Sequence, residues 1–185
     1  LIIWAQPIWA QNYDTALAAN ERGDYITALK HLRPLAEKGF ADAQALLGAM
    51  YAQGRGVPLD SAEAIKWFRK GIEQSNHWAQ HNLGYMYAQG RGVAQNYVEA
   101  AIWFRKAANQ GNADAQSNLG AMYGTGRGVP QDLFLAYIWF SVAAANGAKF
   151  ASENRDIISD QLTKRELKKA STVSKRCHKK PTSCP

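Results

Sequence analysis

The sequence predicts an all-α chain assembled from 36-residue helix pairs, and three recurring markers carry that expectation. Leu-Gly occurs at 47–48, 83–84 and 119–120, Gly-Arg-Gly at 54–56, 90–92 and 126–128, and Trp-Phe at 67–68, 103–104 and 139–140. Every interval is 36 residues, and unrelated markers sharing one period define a tandem array. Between the markers, apolar residues recur at helical spacing, as with Ala43, Leu47, Met50 and Tyr51 on one face.

The elements follow in chain order. Residues 1–10, LIIWAQPIWA, are dominated by apolar side chains but fall short of the roughly 20 needed to span a bilayer. They read as the end of a secretory signal, cut after Ala10 or Ala5, or else as an apolar arm on the first helix. Residues 11–40 form an N-terminal capping pair, with a degenerate helix over 12–22 and a second over 23–39. The second aligns with the later repeats, placing Asp24 on Asp60, Ala28 on Ala64 and Leu32 on Phe68. Residues 41–147 hold three full repeats, at 41–76, 77–112 and 113–147.

In each repeat the first helix ends at Gly-Arg-Gly-Val, where glycine relieves the strain of termination and Pro58 or Pro130 prevents continuation. Asp60, Asn96 and Asp132 then cap the second helix. Glu63 and Glu99 stand three residues later, in a capping-box arrangement. The second helix closes near Gly111 or Gly147, with Ser75 standing in for glycine in the first repeat.

Residues 148–176 are expected to form C-terminal capping helices, one over 148–162 and one opened by a Thr163-x-x-Glu166 capping box. Leu167, Ala170 and Val173 give the last helix one apolar stripe. Residues 177–185 form a basic tail in which Cys177 and Cys184 either close a disulfide in an oxidising compartment or remain free thiols. Adding His178 supplies only three zinc ligands where a structural site takes four, so no metal is expected.

The unit A-x-x-x-L-G-x-x-Y-x-x-G-x-G-V, followed by D-x-x-x-A-x-x-W-F-x-x-A, resembles the Sel1-like repeat, a 36-residue relative of the tetratricopeptide repeat, over about residues 12–162. The resemblance implies a right-handed α-α superhelical solenoid of about five stacked antiparallel helix pairs with a concave and a convex side. The disulfide-rich members of that family carry a cysteine pair in every repeat; this chain has none there.

In such an array each repeat touches only its neighbours, so Leu47, Gly48, Tyr51, Trp67, Phe68 and their equivalents are core. Function is sought where the copies differ. By analogy with tetratricopeptide repeats, the first helices line the groove. That selects Asp42, Ala45, Leu46, Ala49 and Gln53 in repeat one, Trp78, His81, Asn82, Tyr85 and Gln89 in repeat two, and Asp114, Ser117, Asn118, Ala121 and Thr125 in repeat three. Trp78, His81, Asn82 and Tyr85 share one helical face, and exposed aromatics are common interaction anchors. Asn82 and Asn118 correspond to the asparagine that bonds a ligand backbone in related grooves. Asp42, Trp78 and Asp114 occupy places where a carboxylate clamp would need Lys or Arg.

No enzyme is expected. Ser-x-x-Lys, a metalloprotease pattern and a P-loop are all missing, and no nucleophile–base pairing is apparent. No cofactor is expected either. Arg55, Arg91 and Arg127 read as binding helix-end carbonyls or solvent, with anion capture in the Gly-Arg-Gly turns as the rival.

Net charge is +7, yet residues 1–160 carry 14 basic and 14 acidic side chains. Eight basic residues and Glu166 alone make up the charge of residues 161–185. The repeat body is therefore neutral, which speaks against nucleic acid as the partner. The expected function is a non-catalytic, monomeric scaffold that binds a protein or peptide in its groove, in the periplasm or secreted; a retained N-terminus would mean the cytoplasm. The alternatives are a cell-wall glycan or peptidoglycan-fragment binder and a β-lactam-interacting hydrolase. The chain is not expected to cross a membrane, although its basic tail could touch an anionic surface.

Overall fold

A computed structural model describes residues 8–185. Among these residues it contains ten α-helices, one short 3-10 turn and no strand. The helices are α1 (Ile8–Glu21), α2 (Tyr25–Glu37), α3 (Ala41–Gln53), α4 (Ser61–Glu73), α5 (His77–Gln89), α6 (Tyr97–Asn109), α7 (Ala113–Thr125), α8 (Leu133–Ala145), α9 (Ala151–Ser159) and α10 (Lys164–Lys179). The proposed signal segment lies largely outside the described residues; its last three positions, Ile8 to Ala10, form the start of α1. No described helix is long and apolar enough to cross a membrane.

The chain divides into two compact units, one up to Asn82 and one from Leu83. In the first, α1 packs on α2, α2 on α3 and α3 on α4. Its core contains Leu32, Leu35, Leu47, Met50 and Trp67. In the second, α6 packs on α7, and α8 packs on α7, α9 and α10. Phe104, Leu119, Met122 and Trp139 are buried there, and Ile138 and Val142 of α8 meet Ala170 and Cys177 of α10. Each large apolar side chain so enclosed contributes about 1.5–3 kcal/mol.

The sequence markers have specific mechanical roles. A Cβ on Gly48 would lie 2.7 Å from the Phe68 ring. The corresponding approaches are 2.9 Å for Gly84 to Phe104 and 3.0 Å for Gly120 to Phe140. The Gly of Leu-Gly and the Phe of Trp-Phe are thus the two halves of one contact within each helix pair. The Gly-Arg-Gly turns place both glycines in the left-handed region, Gly54 and Gly56 at φ 66° and 69°, which only glycine enters without strain.

Some expectations need correction. Tyr51, Tyr87, Tyr123 and Trp103 are half-buried rather than enclosed. The Asp60 and Asn96 caps are present, accepting from the Glu63 and Glu99 amides at 2.9 and 3.1 Å, but the reciprocal half of the capping box is not. The cap amides of Asp60, Asn96 and Asp132 instead donate to the carbonyls of Tyr51, Tyr87 and Tyr123. Glu63 is left to pair with Lys66 at 2.9 Å. Among the described residues, Thr163 and Glu166 alone form the complete box. The helix they open runs to Lys179, so Cys177 is a buried helical residue rather than part of a tail.

Arg55 and Arg127 lie 5.9 and 5.7 Å from the rings of Tyr25 and Tyr97, 30 residues earlier in each case. The aligned position for Arg91 is Ser61, and its guanidinium lies 5.8 Å from Tyr85 instead. These arginines therefore border tyrosine rings, and neither sequence reading of their side chains anticipated that.

Candidate functional site

The first unit contains a cleft of about 290 Å³. Three helices line it with residues at helical spacing: Tyr13 and Leu17 from α1, Asp42, Ala45, Leu46 and Ala49 from α3, and Trp78 and Asn82 from α5. Four of the five groove positions expected in repeat one thus meet two of those expected in repeat two. Trp78 keeps 48% of its surface exposed, unusual for a large indole in a well-packed chain. Small Ala45 and Ala49 open the space that it borders.

Asn76 organises this region. Its side-chain carbonyl accepts from the Ala79 amide at 2.9 Å, fixing the first turn of α5. Its amide donates to Asp42 Oδ1 at 2.6 Å, holding the carboxylate at the cleft. Burial, aided by Asp42 and Asp14, pushes the Tyr13 phenol up to about 12, so Tyr13 stays a neutral hydrogen-bonding group at neutral pH. His77 lies beside Trp78, ring centroids 5.0 Å apart and planes inclined by 42°. Burial lowers the His77 pKa, with Asp42 partly opposing the shift.

The other expected site residues are placed differently. His81 is half-buried and does not line this cleft. Tyr85, Gln89, Asp114, Ser117 and Asn118 belong to the second unit. Tyr85, Gln89 and Asp114 are exposed, whereas Ser117 and Asn118 are half-buried. A separate depression of about 230 Å³ in the second unit has walls that include Ala121 and Thr125 from α7 and Ile157 from α9. Tyr13 and Leu17 were missed by the sequence reading because α1 carries none of the repeat markers. Their i, i+4 spacing within 12–22 was the available signal.

The second unit also holds Arg105 in a dense polar arrangement. Its guanidinium donates to the Tyr123 hydroxyl and to the Pro185 carbonyl at 2.5 Å, and lies 5.0 Å from the Trp139 ring. Cys177 and Cys184 are joined as a disulfide. Lys175, Arg176, Lys179 and Lys180 border a basic hollow of about 410 Å³. Among the described residues no cluster of three or more His, Cys, Asp or Glu could hold a metal ion.

Helix pairs repeating a fixed set of packing contacts, with variable side chains around a cleft, define an α-α solenoid repeat protein. The Sel1 repeat model matches residues 41–76, 79–112 and 113–147, and the chain belongs to the Sel1 repeat family. Among solved structures it is similar to a protective antigen present in uropathogenic Escherichia coli strains and displaying an SLR fold. The two share 35% identity and a TM-score of 0.82 over 95% of this chain and 39% of that one. It is also similar to a Sel1 repeat protein from Oxalobacter formigenes, at 33% identity and TM-score 0.71 over 80% of this chain and 61% of the other. The chain thus spans less than two thirds of either relative. No curated protein matches it. Membership of this family points to a protein-interaction scaffold.

Proposed function

We propose that this chain is a non-catalytic scaffold that holds an extended peptide segment of a partner protein in the cleft between α1, α3 and α5. The observation that carries the reading is Trp78, half-exposed over a cleft whose other walls are apolar or able to form hydrogen bonds. An immobilised aromatic supplies contact area at little entropic cost, and Asn82 offers both a donor and an acceptor to a ligand backbone. The functional compartment is the bacterial envelope. The Cys177–Cys184 pair supports this, since disulfides persist where the surroundings are oxidising.

Capture from an envelope extract tests the proposal. The Trp78→Ala, Asn82→Ala double variant, with unchanged helicity and melting temperature, should lose a stoichiometric protein that the unaltered chain retains. Equal recovery on both would refute docking at this cleft. The exposed Trp78 face also suits stacking on a sugar ring, the basis of a second reading as a cell-wall glycan binder. Co-sedimentation with purified cell wall, abolished by Trp78→Ala and accompanied by no retained protein, would favour that alternative.

A further inference from the structure

Resting on the peptide-docking reading above, we infer that the cleft selects a peptide carrying a cationic side chain, lysine or arginine, between aliphatic neighbours. Among the described residues that line the cleft, Asp42 is the one charged side chain, and none is Lys or Arg. Asn76 fixes Asp42 Oδ1 at 2.6 Å. Asp42 is exposed, so the rest of its carboxylate faces solvent, where a ligand can reach it. Neighbouring His77 does not supply the missing positive charge, because burial lowers its pKa and keeps it neutral at neutral pH.

An occupant of each chemical class meets this arrangement differently. A purely apolar segment removes water from the Asp42 carboxylate and returns no counter-charge, which is costly. An acidic segment adds like-charge repulsion against Asp42. A lysine or arginine satisfies the carboxylate with a charge-assisted hydrogen bond, and its cationic end or its stem can lie on the exposed Trp78 face. Leu17, 37% exposed, and Leu46 receive the aliphatic neighbours. A volume of about 290 Å³ is at the small end for ligand sites, fitting one or two side chains of an extended segment.

The test uses the full chain and three capped pentapeptides: acetyl-Gly-Leu-Arg-Leu-Gly-amide, the same peptide with citrulline for arginine, and the same with glutamate. Citrulline keeps the shape and removes the charge. Titrations are followed by the Trp78 indole N–H resonance, assigned by its loss in Trp78→Phe. The arginine peptide is expected to bind at least about tenfold more tightly than either analogue. Asp42→Asn, which keeps an acceptor for Asn76, should abolish that preference without lowering the melting temperature. Equal affinity for all three peptides, all shifting Trp78, would overturn the charge selection and leave the docking site standing. Preference retained in Asp42→Asn would overturn the assignment to Asp42. No Trp78 shift with any peptide would overturn the inference together with peptide docking in this cleft.

Discussion

Ser75 sits at φ 59°, where Gly39, Gly111 and Gly147 occupy the equivalent places at φ 96°, 88° and 86°. A Cβ at those three glycines meets nothing within 4 Å, so backbone conformation alone sets the preference. A non-glycine residue there costs about 1–2 kcal/mol, and Ser75→Gly should raise stability by about 1 kcal/mol in urea unfolding. Tyr13 provides a second reading. Its folded-state pKa of about 12 exceeds the value near 10 of an unfolded tyrosine. The folded chain therefore binds the proton more tightly, and stability falls as pH rises from about 10 to about 12. Tyr13→Phe should show a smaller loss over that window in melting experiments. Ser75 was legible because the 36-residue period set it beside glycines; Tyr13 was not, because α1 lacks that register.

At the scale of elements, the helix pair depends on the contact between Leu-Gly and Trp-Phe. Gly48→Ala puts a methyl 2.7 Å from the Phe68 ring, and overpacking of this kind costs about 1–3 kcal/mol. The same change in a Phe68→Leu background should cost less. A double-mutant cycle should give a coupling above about 0.5 kcal/mol, and additive effects would refute the contact as the basis of the marker. Sequence spacing located both residues but did not show that they meet, since 20 positions separate them along the chain. A second device was less visible. Buried Gln44 and Gln116 donate to the Ala36 and Ala108 carbonyls at 3.1 and 3.0 Å. They also accept from Gln74 and Asn146 at 3.1 and 2.8 Å. Glutamine repeating every 36 residues was on view at 44, 80 and 116, but a polar residue on a helix gives no sign of burial until its partners are located. The third repeat has Val142 where Lys70 and Lys106 stand earlier, and its place against α10 explains the change.

For the molecule as a whole, charge, termini and function are distributed unevenly. The basic excess lies in residues 161–185, in the second unit, while the cleft belongs to the first. The Cys177–Cys184 bond closes a short loop of sequence separation 7, worth at most about 2.5 kcal/mol on chain-entropy grounds. Reduction should therefore increase hydrogen exchange in α10 and leave α1 to α4 unchanged, as solenoid repeats couple chiefly to their neighbours. Exchange rising equally in both units would contradict that independence. The repeated architecture was legible because its packing contacts recur. The cleft was legible only in part: Trp78, Asn82 and the α3 face follow the period, whereas the α1 wall does not. Titration calorimetry of a captured protein against matched variants measures binding at that cleft. With helicity and melting temperature preserved, Trp78→Ala with Asn82→Ala should weaken binding at least about tenfold. Affinity equal to that of the unaltered chain would mean that the partner docks elsewhere.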